Sequence, residues 1–141
     1  MRLTMLNMED NKIIKLLEDS NEQNKPDESL IQALLEKIDF PIDPDYWNFI
    51  ENHDGGQLFF DNNEYLGLWT VEEVIQLNPY FEGDPEMDNY FFFGSDGSNT
   101  GYAFDKRNGG VVSIDYIEWG EVEPKNIGDS FKSFINELSK K

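Results

Sequence analysis

The chain has 141 residues, with 29 acids against 11 bases and a formal net charge of −18. This length suits one domain with one hydrophobic core, and the 14% of aromatic residues argues against a disordered chain. The lack of cysteine excludes disulfides and thiolate metal sites. The start lacks the apolar run of a signal peptide, and no stretch approaches the roughly 20 apolar residues that cross a bilayer. We therefore expect a cytoplasmic protein without membrane contact.

The acids are unevenly distributed along the chain. The 68 residues from Ile38 to Asp105 contain fifteen acids and no Lys or Arg. Such a surface repels phosphate backbones, which argues against direct nucleic-acid binding, and it attracts basic proteins. A solvated acidic surface that only keeps the protein soluble is the alternative interpretation.

The N-terminal part predicts an appendage followed by the main domain. Helical spacing of apolar residues over 8–20 predicts a first helix, and the polar stretch 21–28 reads as a linker. We therefore expect an N-terminal extension over residues 1–26 and one domain over residues 27–141.

Three further helices have recognisable boundaries. One starts near Asp27, with apolar residues at helical spacing. The next starts at Asp43 as N-cap and ends at Gly55-Gly56. The C-terminal stretch "DSFKSFINELSKK" is amphipathic, with Asp129 or Ser130 as its cap.

Between these helices the chain predicts short strands. A small helix interrupts them, with a capping box from Thr70 and Glu73 and an end at Pro79. Asn108-Gly109 predicts a tight hairpin turn. The predicted strands are "GQLFF", "EYLGLW", "NYFFF", "TGYAFD" and "VVSIDYI". The expected fold is α+β, with an antiparallel strand meander, helices packed N-terminally and a closing C-terminal helix.

The glycine-rich stretch "FFFGSDGSNTGYAFD" does not match a ligand-binding loop. A phosphate loop needs a lysine and a helix directly after its last glycine, whereas a strand follows here and the next lysine is Lys106. A calcium loop counted from Asp96 would need a glutamate at its twelfth position, which is Arg107. We interpret the stretch as a hairpin loop that presents Ser95, Asp96 and Asn99.

Nothing in the sequence requires an enzyme. His53, the single histidine, lies at a predicted helix end, and neither a second histidine nor a cysteine is present to complete a transition-metal site. We therefore expect no catalytic residues, no metal and no cofactor. Four aromatic residues are candidates to line a groove but are more typical of a core: Tyr46, Trp47, Trp69 and Trp119.

Several motifs, taken in order, resemble the SUKH superfamily, the Smi/Knr-like family. That family has a helix ending in a short "lP" step, then an aromatic-rich helix closing on Asn-Gly-Gly, and this chain reads "LLEKIDFPIDPDYWNFIENHDGG". The later family motifs correspond to "YLGLWTVEEVIQLN", "FFFGSDGSNTGYAFD", "VVSIDY" and "DSFKSFINEL". The resemblance covers about residues 28–138. It departs from the family pattern before Gly55, where the Asn is displaced, and after Asp96, where adjacent glycines are missing.

The resemblance implies an α+β domain that binds other proteins without catalysis. Bacterial members are largely inferred to be immunity proteins that neutralise a toxin, often a nuclease, and eukaryotic members resemble regulatory interaction proteins. A nuclease toxin needs a basic surface, which an acidic face would occupy. We therefore expect an immunity protein for a basic toxin, with a regulatory scaffold as the alternative. The candidate partner-binding residues are Asp61, Glu64, Glu72, Glu73, Tyr80, Phe81, Glu82, Asp84, Glu86, Asp88 and Asp96.

Overall fold

The computed structural model describes residues 25–60, 62–118 and 120–140. The helix predicted over 8–20 lies outside these ranges, as do Asp61 and Trp119.

The described residues form four α-helices and one six-stranded sheet, so the predicted α+β fold is confirmed. The strands pair antiparallel in chain order, which makes the sheet a simple meander with β1 and β6 at its edges. The helices are α1 (Glu28–Lys37), α2 (Pro44–Asn52), α3 (Val71–Leu77), which continues as a 3₁₀ turn (Asn78–Tyr80), and α4 (Phe131–Lys140). The strands are β1 (Gly56–Phe59), β2 (Tyr65–Leu68), β3 (Tyr90–Ser95), β4 (Thr100–Asp105), β5 (Val111–Asp115) and β6 (Lys125–Gly128).

The helix starts follow the capping residues that the sequence predicts. Asp43 accepts hydrogen bonds from the backbone N–H groups of two residues in the first turn of α2. Thr70 and Glu73 form the complete capping box of α3. At α4 the cap is Ser130, whose hydroxyl accepts from Ser133 N at 3.2 Å, while Ser130 N donates to Ser133 Oγ at 3.0 Å.

Two helix ends and one strand differ from the sequence prediction. Helix α2 ends at Asn52, before the two glycines, and Gly55 instead lets the backbone pass close to the end of β2. A methyl group on Gly55 would lie 2.7 Å from Leu68 O. Pro79 does not stop the chain from coiling, because it fits inside the 3₁₀ turn that continues α3. Strand β6 was not predicted at all.

The two faces of the sheet are buried differently. The helices cover one face, and their apolar side chains join those of the sheet in the main core, which includes Tyr46, Phe93, Phe104, Phe131 and Phe134. No helix formed by the described residues lies on the opposite face, which we call the helix-free face. A smaller cluster lies there, formed by Met87, Phe92, Ala103, Val112 and Ile114.

Candidate protein-binding surface

The acidic loop, residues 82–88, follows α3 and is held at its start by the buried amide of Asn78. Its Nδ2 donates to Val74 O and to Phe92 O, each at 2.9 Å, and its Oδ1 accepts from Phe92 N at 2.8 Å. Because Asn78 is only 7% exposed, these bonds satisfy groups that water reaches poorly. The end of α3 is thus tied to the middle of β3.

Two side chains anchor this loop to the helix-free face of the sheet. The ring of Phe81 stacks on Phe92, with centroids 4.1 Å apart, and also faces Tyr116 at 6.4 Å. Met87 is 2% exposed and belongs to the same cluster. The neighbouring Tyr80 is 80% exposed. Of the two aromatic candidates, Phe81 therefore positions the loop, whereas Tyr80 is free to contact a partner.

The four acids of the acidic loop have different surroundings. Asp84 accepts from Glu86 N at 2.8 Å, and Asp88 accepts from Gly83 N at 2.7 Å, so these two carboxylates shape the loop. The exposed carboxylates of Glu82 and Glu86 accept no hydrogen bond from the described residues. They are the ones left to interact with another molecule.

A second acidic segment, made of Glu118 and residues 120–123, lies beside the acidic loop. It follows a turn in which Asp115 accepts from Ile117 N at 2.8 Å. The two segments touch where Glu86 meets Gly120: a methyl group on Gly120 would lie 2.8 Å from Oε2 of Glu86. Between them is an open cleft of about 370 Å³, lined among others by Glu86, Glu121 and Glu123. We call it the acidic cleft. The two segments together hold seven acids and no base.

Arg107 lines the acidic cleft, but its charge is matched by a buried acid. Its Nε and Nη2 donate to the two oxygens of Asp105 at 2.9 and 3.0 Å, and Nη2 also donates to the Tyr90 hydroxyl at 3.1 Å. Burial acts to raise the pKa of Asp105, but the hydrogen bonds and charge of Arg107 outweigh it, and this pKa lies below its ordinary value. The cleft as a whole therefore remains strongly negative.

Four other predicted partner-binding residues that the structure describes are not among those that line the acidic cleft: Glu64, Glu72, Glu73 and Asp96. Glu64 and Asp96 lie near the Tyr102 hydroxyl: burial chiefly raises the pKa of Tyr102 to about 12, and these two carboxylates add to the effect. Asp96 also shapes the β3–β4 loop, because its Oδ1 accepts from Ser98 N at 2.8 Å. Glu72 and Glu73 are in the first turn of α3. Asp61 lies outside the described residues.

The histidine and the groove aromatics are placed as follows. His53 is the C-cap of α2 and stacks on Phe49, with ring centroids 5.3 Å apart. Tyr46 is completely buried in the main core, while Trp47 and Trp69 are half-buried at its margin. Among the described residues, no group of three or more His, Cys, Asp or Glu could hold a metal ion. In the same part of the chain, no helix has the length and apolarity to cross a bilayer.

Three acids of the second acidic segment were not predicted as part of the site from the sequence. Glu118, Glu121 and Glu123 are exposed, and the last two line the cleft opposite Glu86. The string "EWGEVEP" contains the signal, because it holds three acids around a glycine between the last predicted strand, "VVSIDYI", and the predicted C-terminal helix. Its proximity to the acidic loop arises because the chain, having left β5 at the opposite end of the sheet, has returned by Gly120 to the end where β3 begins, a path that a single sequence does not display.

The described residues thus define a small α+β domain whose helix-free side carries an acidic cleft built from two loops. The model of the SMI1 / KNR4 family (SUKH-1) matches residues 25–137. The chain belongs to this family, so the resemblance noted from the motifs is confirmed. A search of the curated proteins finds no match.

Proposed function

We propose that this protein is a non-catalytic immunity protein that neutralises a basic toxin, such as a nuclease domain, by covering its cationic surface. Family membership supports a binding role of this kind. The observation that carries the proposal is the acidic cleft, where two loops distant in sequence place Glu86, Glu121 and Glu123 around one opening.

The cleft has the properties of a surface that captures a cationic partner. Negative potential from several carboxylates speeds the encounter and selects against acidic partners. The loop backbone is held by Asn78 and Phe81, so little conformational entropy is lost on binding. Tyr80 adds an exposed aromatic side chain next to the acids, of the type enriched in binding hot spots.

The alternative is a regulatory scaffold without a toxin partner. Such a protein would bind resident proteins of any charge, and its binding would depend little on salt. The density of acids in the cleft favours the basic partner, because charge of one sign at such density costs stability through self-repulsion.

A growth-protection assay tests the proposal. The chain is co-expressed with a panel of toxin domains from the source organism and its competitors, and survival is compared with that of cells expressing the toxin alone. We expect protection against at least one basic toxin. A triple variant, E82K/E86K/E121K, should lose it; we call it the acidic-cleft variant, or cleft variant, because it changes two acids that line the cleft and Glu82 of the adjoining acidic loop.

The matched control is E36K/E51K/E137K, which also changes the formal net charge from −18 to −12, since three Glu→Lys changes add six charges. These three acids are exposed and lie in the last turns of α1, α2 and α4, where lysine is tolerated by the helix dipole. Protection that survives in the cleft variant but not in the control would place the binding surface elsewhere. Failure to protect against every toxin in the panel would favour the scaffold.

A further inference from the structure

The helix-free face of the sheet is only half covered by the described chain. Phe81 and Met87 cover the half built by β3 to β5. On the β1–β2 half, Phe59 points away from the main core, because its neighbour Leu58 points into it. Phe59 is 65% exposed. Its ring packs only partly against Tyr65, with centroids 5.1 Å apart.

A groove of about 360 Å³ lies on this uncovered half, and Tyr65, Gly67 and Trp69 are among the residues that line it. Tyr65 packs closely against two glycines, which leave room for its side chain. A methyl group on Gly67 would lie 2.9 Å from the Tyr65 hydroxyl, and one on Gly97 would lie 3.0 Å from the Tyr65 ring. Trp69 is backed by Phe92, whose ring is nearly parallel to it at 6.4 Å. Both aromatic side chains are therefore packed against other residues of the described chain.

Two carboxylates also line the groove, and each has an oxygen to spare. Asp54 Oδ1 accepts from Val71 N, and Glu73 Oε1 accepts from Thr70 N, each at 2.9 Å. Their second oxygens accept no hydrogen bond from the described residues. No lysine or arginine is among the described residues that line the groove.

We propose that this groove, which we call the aromatic groove, binds an arginine side chain of a basic protein partner. Tyrosine and tryptophan faces attract a cation, and a guanidinium also stacks on rings and pairs with carboxylates through its planar fork. The compact, more strongly hydrated lysine ammonium fits such a site less well. The inference rests on the proposed function for the identity of the partner, but the preference of the groove for arginine stands separately.

The test is an NMR titration of the ¹⁵N-labelled full chain at low salt with the peptide acetyl-Gly-Gly-Arg-Gly-Gly-amide. The control peptide has citrulline in place of arginine, which keeps the shape and removes the charge. We expect saturable shifts of the Trp69 indole N–H and the Gly67 amide with a Kd of roughly 1–10 mM, and a response about tenfold weaker with citrulline. An equal response to both peptides, or shifts spread over all acidic surfaces without saturation at Trp69, would overturn the inference.

A conservative double variant tests the two carboxylates without disrupting the fold. D54N/E73Q retains both side-chain oxygens that cap α3 and removes both charges. Affinity for the arginine peptide should fall about fivefold or more, whereas E36Q/E137Q, with the same change in charge, should bind like the parent. Unchanged affinity in D54N/E73Q, or an equal loss in both variants, also contradicts the inference.

These outcomes are distinguishable from those of the proposed function. If the peptide does not bind in the groove but the acidic-cleft variant still loses toxin protection, only the groove inference fails. If the peptide binds as expected and no toxin is neutralised, the groove stands and the proposed function fails.

Discussion

Phe131 N donates a hydrogen bond of 2.9 Å to Asp43 Oδ2, although the two residues are 88 positions apart in the chain. The other carboxylate oxygen of Asp43 accepts from Asp45 N at 2.8 Å. One side chain therefore caps α2 and satisfies the first N–H of α4, which fastens the C-terminal helix to the N-terminal part of the core.

Replacing Asp43 should therefore destabilise two helix ends at once. D43A should lower the free energy of unfolding by about 2–3 kcal/mol, more than a single lost N-cap costs, and D43N, with one acceptor oxygen left, by about 1 kcal/mol. Urea denaturation followed by circular dichroism measures both. A loss below about 0.5 kcal/mol in D43A would show that water replaces this carboxylate without cost.

The buried amide of Asn78 should matter more for stability than its size suggests. N78L leaves the N–H and C=O groups of Phe92 without a partner next to an apolar side chain, and we expect a loss of about 3 kcal/mol. N78D retains the acceptor for Phe92 N but removes both donated bonds, and should be similarly unstable. Chemical denaturation provides the measurement, with Q76L on the exposed side of α3 as a control. Unfolding energies of N78L and Q76L that agree would refute the role of this amide.

Substitutions of Tyr80 and Phe81 should affect stability differently, because Tyr80 is exposed to a partner whereas Phe81 positions the acidic loop. Y80A removes an 80% exposed ring and should leave the unfolding energy within about 0.5 kcal/mol of the parent. F81A removes the ring stacked on Phe92 and should cost about 2 kcal/mol and speed hydrogen exchange over the acidic loop.

Partner affinity should fall in both variants, for different reasons. Y80A loses a direct contact, so mainly dissociation becomes faster, whereas F81A loses the order of the loop. If hydrogen exchange in residues 82–88 is the same in F81A as in the parent, Phe81 does not position the loop.

The Asp105–Arg107 pair predicts a pH dependence of stability. Because the pKa of Asp105 is lowered in the folded protein, the pair stabilises the fold above the ordinary value of 3.8, and this contribution is lost as the pH falls through the lowered pKa. R107M should therefore be less stable than the parent at neutral pH, and the difference should shrink as the solution becomes strongly acidic. Arg107 is 57% exposed, so solvent screening keeps the effect small.

Urea titrations of parent and R107M over a pH series test this, together with the ¹³C chemical shift of the Asp105 carboxyl. In R107M the pKa of Asp105 should rise, because burial then acts without the opposing charge. A stability difference that stays constant with pH would mean that Arg107 acts through packing alone.

The sequence predicted those parts of the fold that depend on local chemistry. The side chains of Asp43 and Thr70 accept hydrogen bonds from backbone N–H groups within three residues, so a short stretch of sequence is enough to predict these caps. Strand β6, "KNIG", was not predicted because most of its residues have little strand propensity. It is formed through pairing with β5 and packing against α4.

The candidate site shows the same division between local and long-range information. The acids of residues 82–88 were identifiable as a dense run. Their approach to Gly120 and Glu121 depends on the path of the chain after β5. The strand register places Tyr90 and Val111 at one end of the sheet and Asp115 at the other, and by Gly120 the chain has returned to the end where Glu86 lies. Similarly, the role of Phe81 follows from its stacking on Phe92. The spacing of residues in the sequence does not predict this contact, because it joins a loop to a strand.

The most direct test of the central claim is the affinity of the protein for a toxin that it neutralises, measured by calorimetry at low and high salt. If the acidic cleft covers a cationic surface, E82K/E86K/E121K should bind about 100-fold more weakly, and salt should weaken the parent complex far more than the variant. The control E36K/E51K/E137K should stay within about threefold of the parent. Equal affinities for the parent and the cleft variant, with the same response to salt, would contradict the account.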